Sequence, residues 1–379
     1  MSEYIVFVCK DHYNPLGIVR TLGEAGIKPV AVVVKSDPQL VIKSKYVKTK
    51  HVVNSPEEGL ELIISKYAKG NGDKSFIVTG DDVTVQLMDK NYDRLKDSFY
   101  FYNAGEAGRI RHYMNKDVLN ALAVKHGFNI PKTWKVRPRE CEIPEDIIYP
   151  VMTKAIHSFG KEWKNIVFIC NDEKELKEAY KKIKSEYILL QQYIEKTDEY
   201  GYEGFSVNHG KDVFISMRTS QVYMLPDKYT PYWYVNNVDD KELIKQLSGM
   251  IEEIGLEGIW EYEFLVGKDG KMYFMEINFR NTVIGWATTV AGMPNITLWC
   301  KSMRRGHIVK NCYKKIPEGF TTMAECFDYD ARVKAGLLSH KEWMKQYKSV
   351  DAKLYKGRRD FRPFFSFMWY NLTRMNLDH

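Results

Sequence analysis

The stretch from residue 257 to 280 constrains the fold of this chain more than any other. Two apolar runs, 259–266 and 272–277, flank the turn Gly267-Lys268-Asp269-Gly270. This pattern predicts a β-hairpin. Because side chains alternate along a strand, Glu276 and Asn278 are expected on one side of the second strand. A hairpin that closes near residue 269 would also bring Glu263 of the first strand close to Glu276.

These polar residues in apolar strands predict a metal site. An unpaired carboxylate is costly in such a strand, so a ligand is expected nearby. Two carboxylates, Glu263 and Glu276, and the amide oxygen of Asn278 form a set of hard oxygens that suits Mg²⁺ or Mn²⁺. Arg280 follows on the same side, and an arginine beside magnesium suits phosphoryl or acyl-phosphate chemistry. The alternative is a solvated hairpin edge with ordinary charges.

The N-terminal part of the sequence alternates strands with helices. Apolar runs at 4–9, 28–34 and 76–79 are separated by helical segments, which predicts a parallel βαβ sheet. No GxGxxG motif follows the first strand, so dinucleotide binding of the usual kind is not supported. Asp81 directly follows the third predicted strand, where ligands commonly bind in such sheets. It is either a substrate contact or a plain helix cap.

Four features in the middle of the chain are candidate ligand contacts. Lys154 interrupts the apolar strand predicted at 147–155, so it should face solvent or an anion. The strand predicted at 187–194 runs into a loop and could offer backbone groups to an adenine edge. Glu203 could accept hydrogen bonds from ribose hydroxyls. Arg218 either binds a carboxylate or phosphate or forms a structural ion pair.

Composition narrows the class of protein. With 379 residues, 44% hydrophobic and 28% charged, the chain has the size and balance of a soluble protein of two or three domains. The net charge of +7 is spread along the sequence, which favours anionic ligands but predicts no nucleic-acid partner. Six cysteines without a CxxC pair predict reduced thiols and a cytoplasmic location. No signal peptide or membrane span is apparent, so stable membrane insertion is not expected.

The C-terminal tail is rich in aromatic residues. Residues 361–370 follow the basic segment 355–359, and no continuation of the sheet pattern is apparent beyond Lys310. The tail is interpreted either as a terminal helix that docks its aromatic face on the body or as a membrane-surface helix.

Taken together, residues 1–305 resemble the ATP-grasp superfamily. The resemblance rests on four motifs and on the spacing of Glu263 and Glu276. The motifs are Asn115-Lys116-Asp117, Val151-Met152-Thr153-Lys154, Gln191-Gln192-Tyr193-Ile194, and Met275-Glu276-Ile277-Asn278-Phe279-Arg280. Segments around residues 78–82, 126–133 and 163 also resemble a narrower group, the carboxylate–amine ligases of the bacterial D-aspartate ligase and carbamoyl-phosphate-synthase-like type.

The resemblance implies an α/β and α+β fold with a Rossmann-like domain at 1–105, ATP-grasp lobes at 106–190 and 191–309, and an extension at 310–379. It implies that Lys116 and Lys154 hold the phosphates of ATP. Further implied roles are adenine binding by Gln191, Gln192, Tyr193 and Ile194, ribose binding by Glu203, magnesium binding by Glu263, Glu276 and Asn278, and catalysis by Arg280 with Lys154. His157 and Ser158 lie in the expected phosphate lid, which has only one glycine where the family usually has more.

The predicted activity is that of an ATP-dependent carboxylate–amine ligase that works through an acyl phosphate. Its substrates would be a small carboxylate and a small amine, such as an amino acid and a cell-wall precursor, with Asp81 and Arg218 as substrate contacts. A small-molecule kinase and a non-catalytic ATP-binding module are the alternatives. A homodimer is left open.

Overall fold

The computed structural model describes residues 2–68, 73–156, 166–225 and 230–375. His157 and Ser158 lie outside the described residues. The chain forms two compact units. The larger unit comprises Met1–Tyr113, Tyr200–Glu263 and Ile277–His379, and the smaller comprises Met114–Glu199 and Phe264–Glu276.

The larger unit begins with a five-stranded parallel sheet. Its strands are β1 Tyr4–Val8, β2 Val30–Val34, β3 Thr49–Val53, β4 Ser75–Thr79 and β5 Phe99–Tyr100. Its helices are α1 Tyr13–Glu24, α2 Pro56–Tyr67, α3 Asp82–Lys90, α4 Tyr92–Leu95 and α5 Arg109–Tyr113. The strand order is β3-β2-β1-β4-β5, with Ile5 of β1 level with Val30 on one side and Ile77 on the other. The predicted parallel sheet is confirmed, with two additional strands, β3 and β5.

The smaller unit contains a four-stranded antiparallel sheet. Its elements are α6 Lys116–Lys125, β6 Thr133–Val136, β7 Val151–Lys154, β8 Ile169–Cys170, α7 Glu173–Lys182 and β9 Ile188–Gln192. The strand order is β6-β9-β7-β8. Leu176 and Tyr180 of α7 pack on Val151 and Ile188, and all four side chains are buried. Each buried side chain of this size stabilises the fold by about 1.5–3 kcal/mol.

A seven-stranded sheet follows, in the order β14-β13-β10-β11-β12-β15-β16. Its strands are β10 Lys196–Val207, β11 Asp212–Gln221, β12 Tyr232–Asn236, β13 Gly258–Gly267, β14 Met272–Asn278, β15 Thr321–Met323 and β16 Ala352–Lys353. The helices are α8 Lys241–Ile254, α9 Gly285–Val290, α10 Asn295–Arg305, α11 Glu325–Asp328, α12 His340–Ser349 and α13 Arg362–Met375. Single turns of 3₁₀-helix occur at Val41–Lys43 and Pro138–Glu140, and a π-helical turn at Tyr329–Lys334.

Glu203 lies within the long strand β10, which pairs with β11, a single strand that ends at Gln221. A β-bulge interrupts this pairing between Glu203 and Gly204. A Cβ at Gly204 would lie 2.4 Å from the Phe214 carbonyl oxygen and 2.4 Å from the Trp260 ring, so only glycine fits there.

The C-terminal segment is an integral part of the larger unit, contrary to the expectation that the sheet pattern ends near Lys310. Strand β15 pairs with β12, and β16 pairs with β15. The guanidinium of Arg20 on α1 is buried and donates to the carbonyl oxygens of Leu354, Tyr355 and Asp360 at 2.9, 2.7 and 3.0 Å. No helix within the described parts of the chain is long and apolar enough to cross a membrane.

Candidate active site

The end of strand β14 presents an amide between two carboxylates. The Asn278 Nδ2 atom donates to Glu263 Oε1 at 2.7 Å and to Glu261 Oε2 at 3.1 Å. Glu261 and Glu263 lie two residues apart on β13, so alternation along the strand puts both on the same face. Glu261 is only 6% exposed and Asn278 only 9%. All three residues belong to the larger unit, and Glu261 is a member that the sequence analysis missed.

Arg280 is held beside this cluster from two directions. Its Nε and Nη2 atoms donate to the two carboxylate oxygens of Asp82 at 2.7 and 3.2 Å, and Nη2 also donates to Asn278 Oδ1 at 2.9 Å. Burial lowers the pKa of Arg280, but the nearby carboxylates, Asp82 foremost, raise it by more, so the guanidinium stays charged. The two-pronged contact with Asp82 fixes the plane of the guanidinium. Asp82 was not predicted, because the sequence analysis selected its neighbour Asp81.

The cluster fits a divalent cation in its chemistry. Two carboxylates and an amide converge, which is the hard-oxygen donor set that magnesium takes. Among the described residues no group of three or more His, Cys, Asp or Glu side chains is arranged as a metal site, and here the third donor would be an amide oxygen. The amide of Asn278 now turns its nitrogen toward the carboxylates, and a cation would favour the flipped amide. Glu276, the remaining predicted ligand, belongs to the smaller unit.

Glu203 lies in the interior of the larger unit. Its side chain is 0% exposed and accepts a hydrogen bond from the Thr282 hydroxyl. Burial raises the pKa of Glu203 to about 8, against the opposing effects of Thr282 and Arg280. A fully buried carboxyl does not offer an accessible acceptor for ribose. Glu199, on the same face of β10, has a side chain that is 33% exposed and pairs with Lys196 at 2.5 Å.

In the smaller unit, Lys154 is a half-buried cation near a second lysine. Burial lowers the pKa of Lys154 to about 8, and the charge of Lys116 lowers it further, while Glu276 opposes the shift. The Nζ atom donates to Gln191 Oε1, and Gln191 Nε2 donates to Thr133 Oγ1 at 3.1 Å. Strands β7 and β9 pair with Lys154 level with Leu189. This arrangement orients a poorly solvated ammonium that an anion would stabilise.

Lys116 is the first residue of helix α6. The side chain of Asn115 caps that helix by accepting from the Asp117 N–H at 2.9 Å. A helix N-terminus carries a partial positive charge, and Lys116 adds a full one there. The two predicted phosphate lysines therefore act on one another electrostatically within the same unit.

The strand predicted to bind adenine has most of its backbone donors occupied. The Gln192 N–H donates to the Lys132 carbonyl at 2.8 Å, and the Tyr193 N–H donates to the Pro150 carbonyl at 2.9 Å. These bonds leave Ile194, the first residue beyond them, as the candidate N–H donor to an adenine edge.

Asp81 acts as a helix cap. It accepts from the Thr84 N–H at 2.9 Å at the start of α3, and from the Cys9 N–H at 2.9 Å. Its side chain is 7% exposed. The contacts of Asp81 therefore fit the structural alternative, because they join the ends of β1 and β4.

Arg218 lies between aromatic side chains. Its guanidinium is 4.4 Å from the ring centroid of Tyr200, and it hydrogen-bonds to Tyr202. Stacking on Tyr200 is a cation–π contact. The buried Nε atom of Arg218 has no hydrogen-bond partner among the described residues.

A family model matches about half of the chain. Residues 116–301 match the model described as "Carbamoyl-phosphate synthase L chain, ATP binding domain". A search of curated proteins gives no match.

Several solved structures have a similar fold. An L-amino acid ligase from Bacillus licheniformis has 16% identity and a TM-score of 0.58, over 80% of this chain and 74% of that one. The biotin carboxylase domain of Hydrogenobacter thermophilus 2-oxoglutarate carboxylase has 17% identity and a TM-score of 0.60, over 84% and 73%. An N5-carboxyaminoimidazole synthase from Aspergillus clavatus has 14% identity and a TM-score of 0.61, over 83% and 80%.

These likenesses confirm the predicted ATP-grasp fold and the predicted mixture of α/β and α+β architecture. Residues 116–301 are similar to that ATP-binding domain over just under half of the chain. The roles of individual site residues, and the four-part division into domains, stay predictions.

Proposed function

We propose, from the ATP-grasp fold and the ATP-binding domain at residues 116–301, that this chain is an ATP-dependent carboxylate–amine ligase. It joins a small carboxylate to a small amine in an amide or peptide bond and forms ADP. The similar solved structures include an amino-acid ligase, which supports this reaction class over the kinase alternative.

One observation carries the proposal above the others. Asn278 connects the carboxylates of Glu261 and Glu263 to the guanidinium of Arg280, all within hydrogen-bond distance. A hard-oxygen cluster joined to a fixed arginine is the arrangement that phosphoryl transfer to a carboxylate requires, because negative charge on the phosphoryl oxygens must be balanced. A protein that only binds nucleotide needs no arginine held in this way.

The proposed reaction has two steps. In the first, a carboxylate oxygen of the substrate forms a bond to the γ-phosphorus of ATP, and the bond between that phosphorus and the β–γ bridging oxygen breaks, releasing ADP. In the second, the amine nitrogen attacks the acyl carbon, the bond to the phosphate oxygen breaks, and the nitrogen loses a proton. Neither step needs a covalent side-chain nucleophile.

The residues of each unit have distinct proposed roles. In the smaller unit, Lys116 and Lys154 bind the phosphates, Gln191 orients Lys154, and the segment Gln192–Ile194 contacts adenine. In the larger unit, Glu261, Glu263 and Asn278 are the residues that would hold magnesium. Glu276, which belongs to the smaller unit, stays a predicted magnesium ligand. The metal would neutralise phosphate oxygens. Arg280 stabilises the charge that develops on the transferred group, and Asp82 orients Arg280.

The proposed substrates rest on the similar solved structures and on the sequence resemblance. The ligase among the similar structures is one for L-amino acids, and the sequence resembles D-aspartate ligases, so an amino acid is proposed as one substrate. A cell-wall precursor is proposed as the amine. Arg218 is retained as a candidate carboxylate contact. The cytoplasmic location, the absence of a nucleic-acid partner and the homodimer stay predictions.

The proposal is tested by a substrate screen. Purified protein with Mg-ATP is incubated with pairs of amino acids and small amines, phosphate release is measured, and products are identified by mass spectrometry. We expect phosphate release that depends on both substrates and a product mass equal to the two substrates less one water.

Two variants, one of them a control, test the role of Arg280. Arg280→Met should lower kcat by about 10²–10³-fold, the usual loss when one charge-stabilising donor is removed. Arg94→Met removes an arginine of the same unit whose ion pair with Glu61 is exposed, and it should retain wild-type turnover. A stable phosphorylated carboxylate substrate as the only product would contradict the ligase assignment.

A further inference from the structure

Helix α13 is fixed to the body of the larger unit by one face. Asp360, just before the helix, is 2% exposed, accepts from the Lys45 N–H at 3.1 Å and pairs with Arg20 at 3.5 Å. The ring centroid of Phe367 lies 4.6 Å from that of Tyr355, which is itself buried. One aromatic side chain of the tail, Phe367, therefore packs on the body of the larger unit.

The other face of α13 also carries large apolar side chains, and these are exposed. Phe361 is 43% exposed, Phe365 65%, Met368 40% and Trp369 71%. Positions three and four residues apart lie on one side of a helix, so these four side chains form one stripe. Contiguous exposed apolar side chains of this size mark an interaction surface more often than a surface without a binding partner.

Basic residues border the exposed stripe. Arg358, Arg359 and Arg362 are exposed at the start of the helix. The 3₁₀ turn Val41–Lys43 packs on α13, and the exposed residues Lys43 and Lys45 lie on and beside this turn. Residues 361–375 include no Asp or Glu. Helix α13 itself therefore carries basic but no acidic residues, and further basic residues lie next to it in sequence and in the packed turn.

We propose that the exposed face of α13, with the basic residues beside it, docks reversibly on an anionic phospholipid surface. Aromatic and aliphatic side chains insert at the headgroup level in such binding, while arginine and lysine contact the lipid phosphates. The helix lies on the membrane and does not cross it. The indole of Trp369 suits the interface, because it has an apolar ring and a polar N–H.

The charge pattern favours a membrane over a second copy of the chain. Two copies meeting through this face would bring arginines against arginines, with no acidic residue in 361–375 to pair with them. A negatively charged lipid surface complements the same residues, and each basic residue near such a surface strengthens binding by about fivefold.

Vesicle sedimentation tests the proposal with the full chain. Wild-type protein is mixed with phosphatidylcholine vesicles, or with vesicles that also contain phosphatidylglycerol, at low and at high salt. We expect binding to the anionic vesicles only, and loss of that binding at high salt. The double variant Phe365→Glu/Trp369→Glu should abolish binding, and Arg358→Gln/Arg359→Gln should weaken it by about thirtyfold, since two basic residues are removed.

The matched control is Leu337→Glu/Val124→Glu, which places the same two charges at side chains that are 64% and 53% exposed and lie outside α13. It should bind like wild type. Circular dichroism and thermal unfolding verify that the variants are folded. Equal binding to neutral and anionic vesicles, unchanged binding by Phe365→Glu/Trp369→Glu, or a dimer without vesicles that this variant abolishes would each overturn the proposal.

Discussion

The charge of Lys154 should depend on pH between pH 7 and 9.5. Burial, and then the charge of Lys116, lower the pKa of Lys154 to about 8. Above that pH the ammonium of the unliganded protein loses its proton, so the attraction for phosphate weakens. We expect the Kd for ATP to rise above pH 8 by about tenfold per pH unit at most. Titration calorimetry between pH 7 and 9.5 measures this dependence.

Two variants separate Lys154 from other titrating groups. Lys154→Arg keeps its charge at all these pH values, so its Kd for ATP should not change with pH. Lys174→Met removes an exposed lysine of the same unit. Its Kd for ATP should depend on pH as that of wild type does. A pH dependence that persists in Lys154→Arg would assign it to another group.

Glu203 makes a separate prediction about stability. Burial raises the pKa of Glu203 from its ordinary 4.5 to about 8, so the folded protein binds a proton that the unfolded chain has released. Stability then falls as pH rises from 4.5 to 8. Glu203→Gln has no proton to lose, so its free energy of unfolding should exceed that of wild type increasingly with pH. The slope of that difference is about 1.4 kcal/mol per pH unit at most.

Urea unfolding of both proteins at pH 5.5 and pH 8 measures this difference. Glu318→Gln changes an exposed carboxylate and should track wild type at both values. A Glu203→Gln variant that is less stable than wild type at pH 8 would mean that Glu203 is ionised in the fold.

The sequence pattern predicts the polar cluster of the hairpin but not all of its members. Glu263, Asn278 and Arg280 are predicted because polar side chains in or just after an apolar strand are conspicuous, and the structure joins these three side chains by hydrogen bonds. Glu261 lies two residues before Glu263 on β13, so alternation along the strand puts both on one face and could have predicted Glu261 as well. Asp82 could not have been predicted, because its contact with Arg280 joins positions that are distant in sequence.

At the scale of elements, Arg20 is the main polar connection between α1 and the C-terminal segment. Its guanidinium is 1% exposed and serves three carbonyl oxygens and the carboxylate of Asp360. Removing one partner of a buried ion pair leaves the other without compensation, which costs about 3–5 kcal/mol. We expect Arg20→Met to lower the free energy of unfolding by this amount in urea titrations.

A control variant and a rescue variant test this prediction. Arg94→Met breaks an exposed pair with Glu61 and should change stability by about 1 kcal/mol or less. Arg20→Met/Asp360→Asn removes the stranded charge, so it should regain part of the loss. If Arg20→Met matched Arg94→Met, α1 would not depend on this connection.

The sequence pattern does not predict strands β3, β15 and β16, and there are two physical reasons. Strand β3, at the edge of its sheet, exposes Lys50 and Val52 to solvent, so it lacks the continuous apolar run of a buried strand. Strands β15 and β16 have three and two residues, too few for any period to appear. Strand β15 pairs with β12, which is far away in sequence, and β16 pairs with β15.

At the scale of the whole molecule, the sequence predicted the fold more completely than the chemistry. Motif order along the chain was sufficient for the ATP-grasp fold. Substrate identity depends on side chains such as Arg218, whose aromatic neighbours the sequence pattern does not reveal. Glu203 shows the same limit, because its burial results from the packing of β10 and not from its position in a motif.

Transfer of a heavy oxygen tests the central claim most directly. The carboxylate substrate is labelled with ¹⁸O and incubated with ATP, magnesium, the amine and the protein, and the released phosphate is analysed by mass spectrometry. A ligase that forms an acyl phosphate transfers one carboxylate oxygen to phosphate for each amide formed, and we predict this result. Unlabelled phosphate beside the amide product, or a stable phosphorylated substrate without amide, would contradict the account.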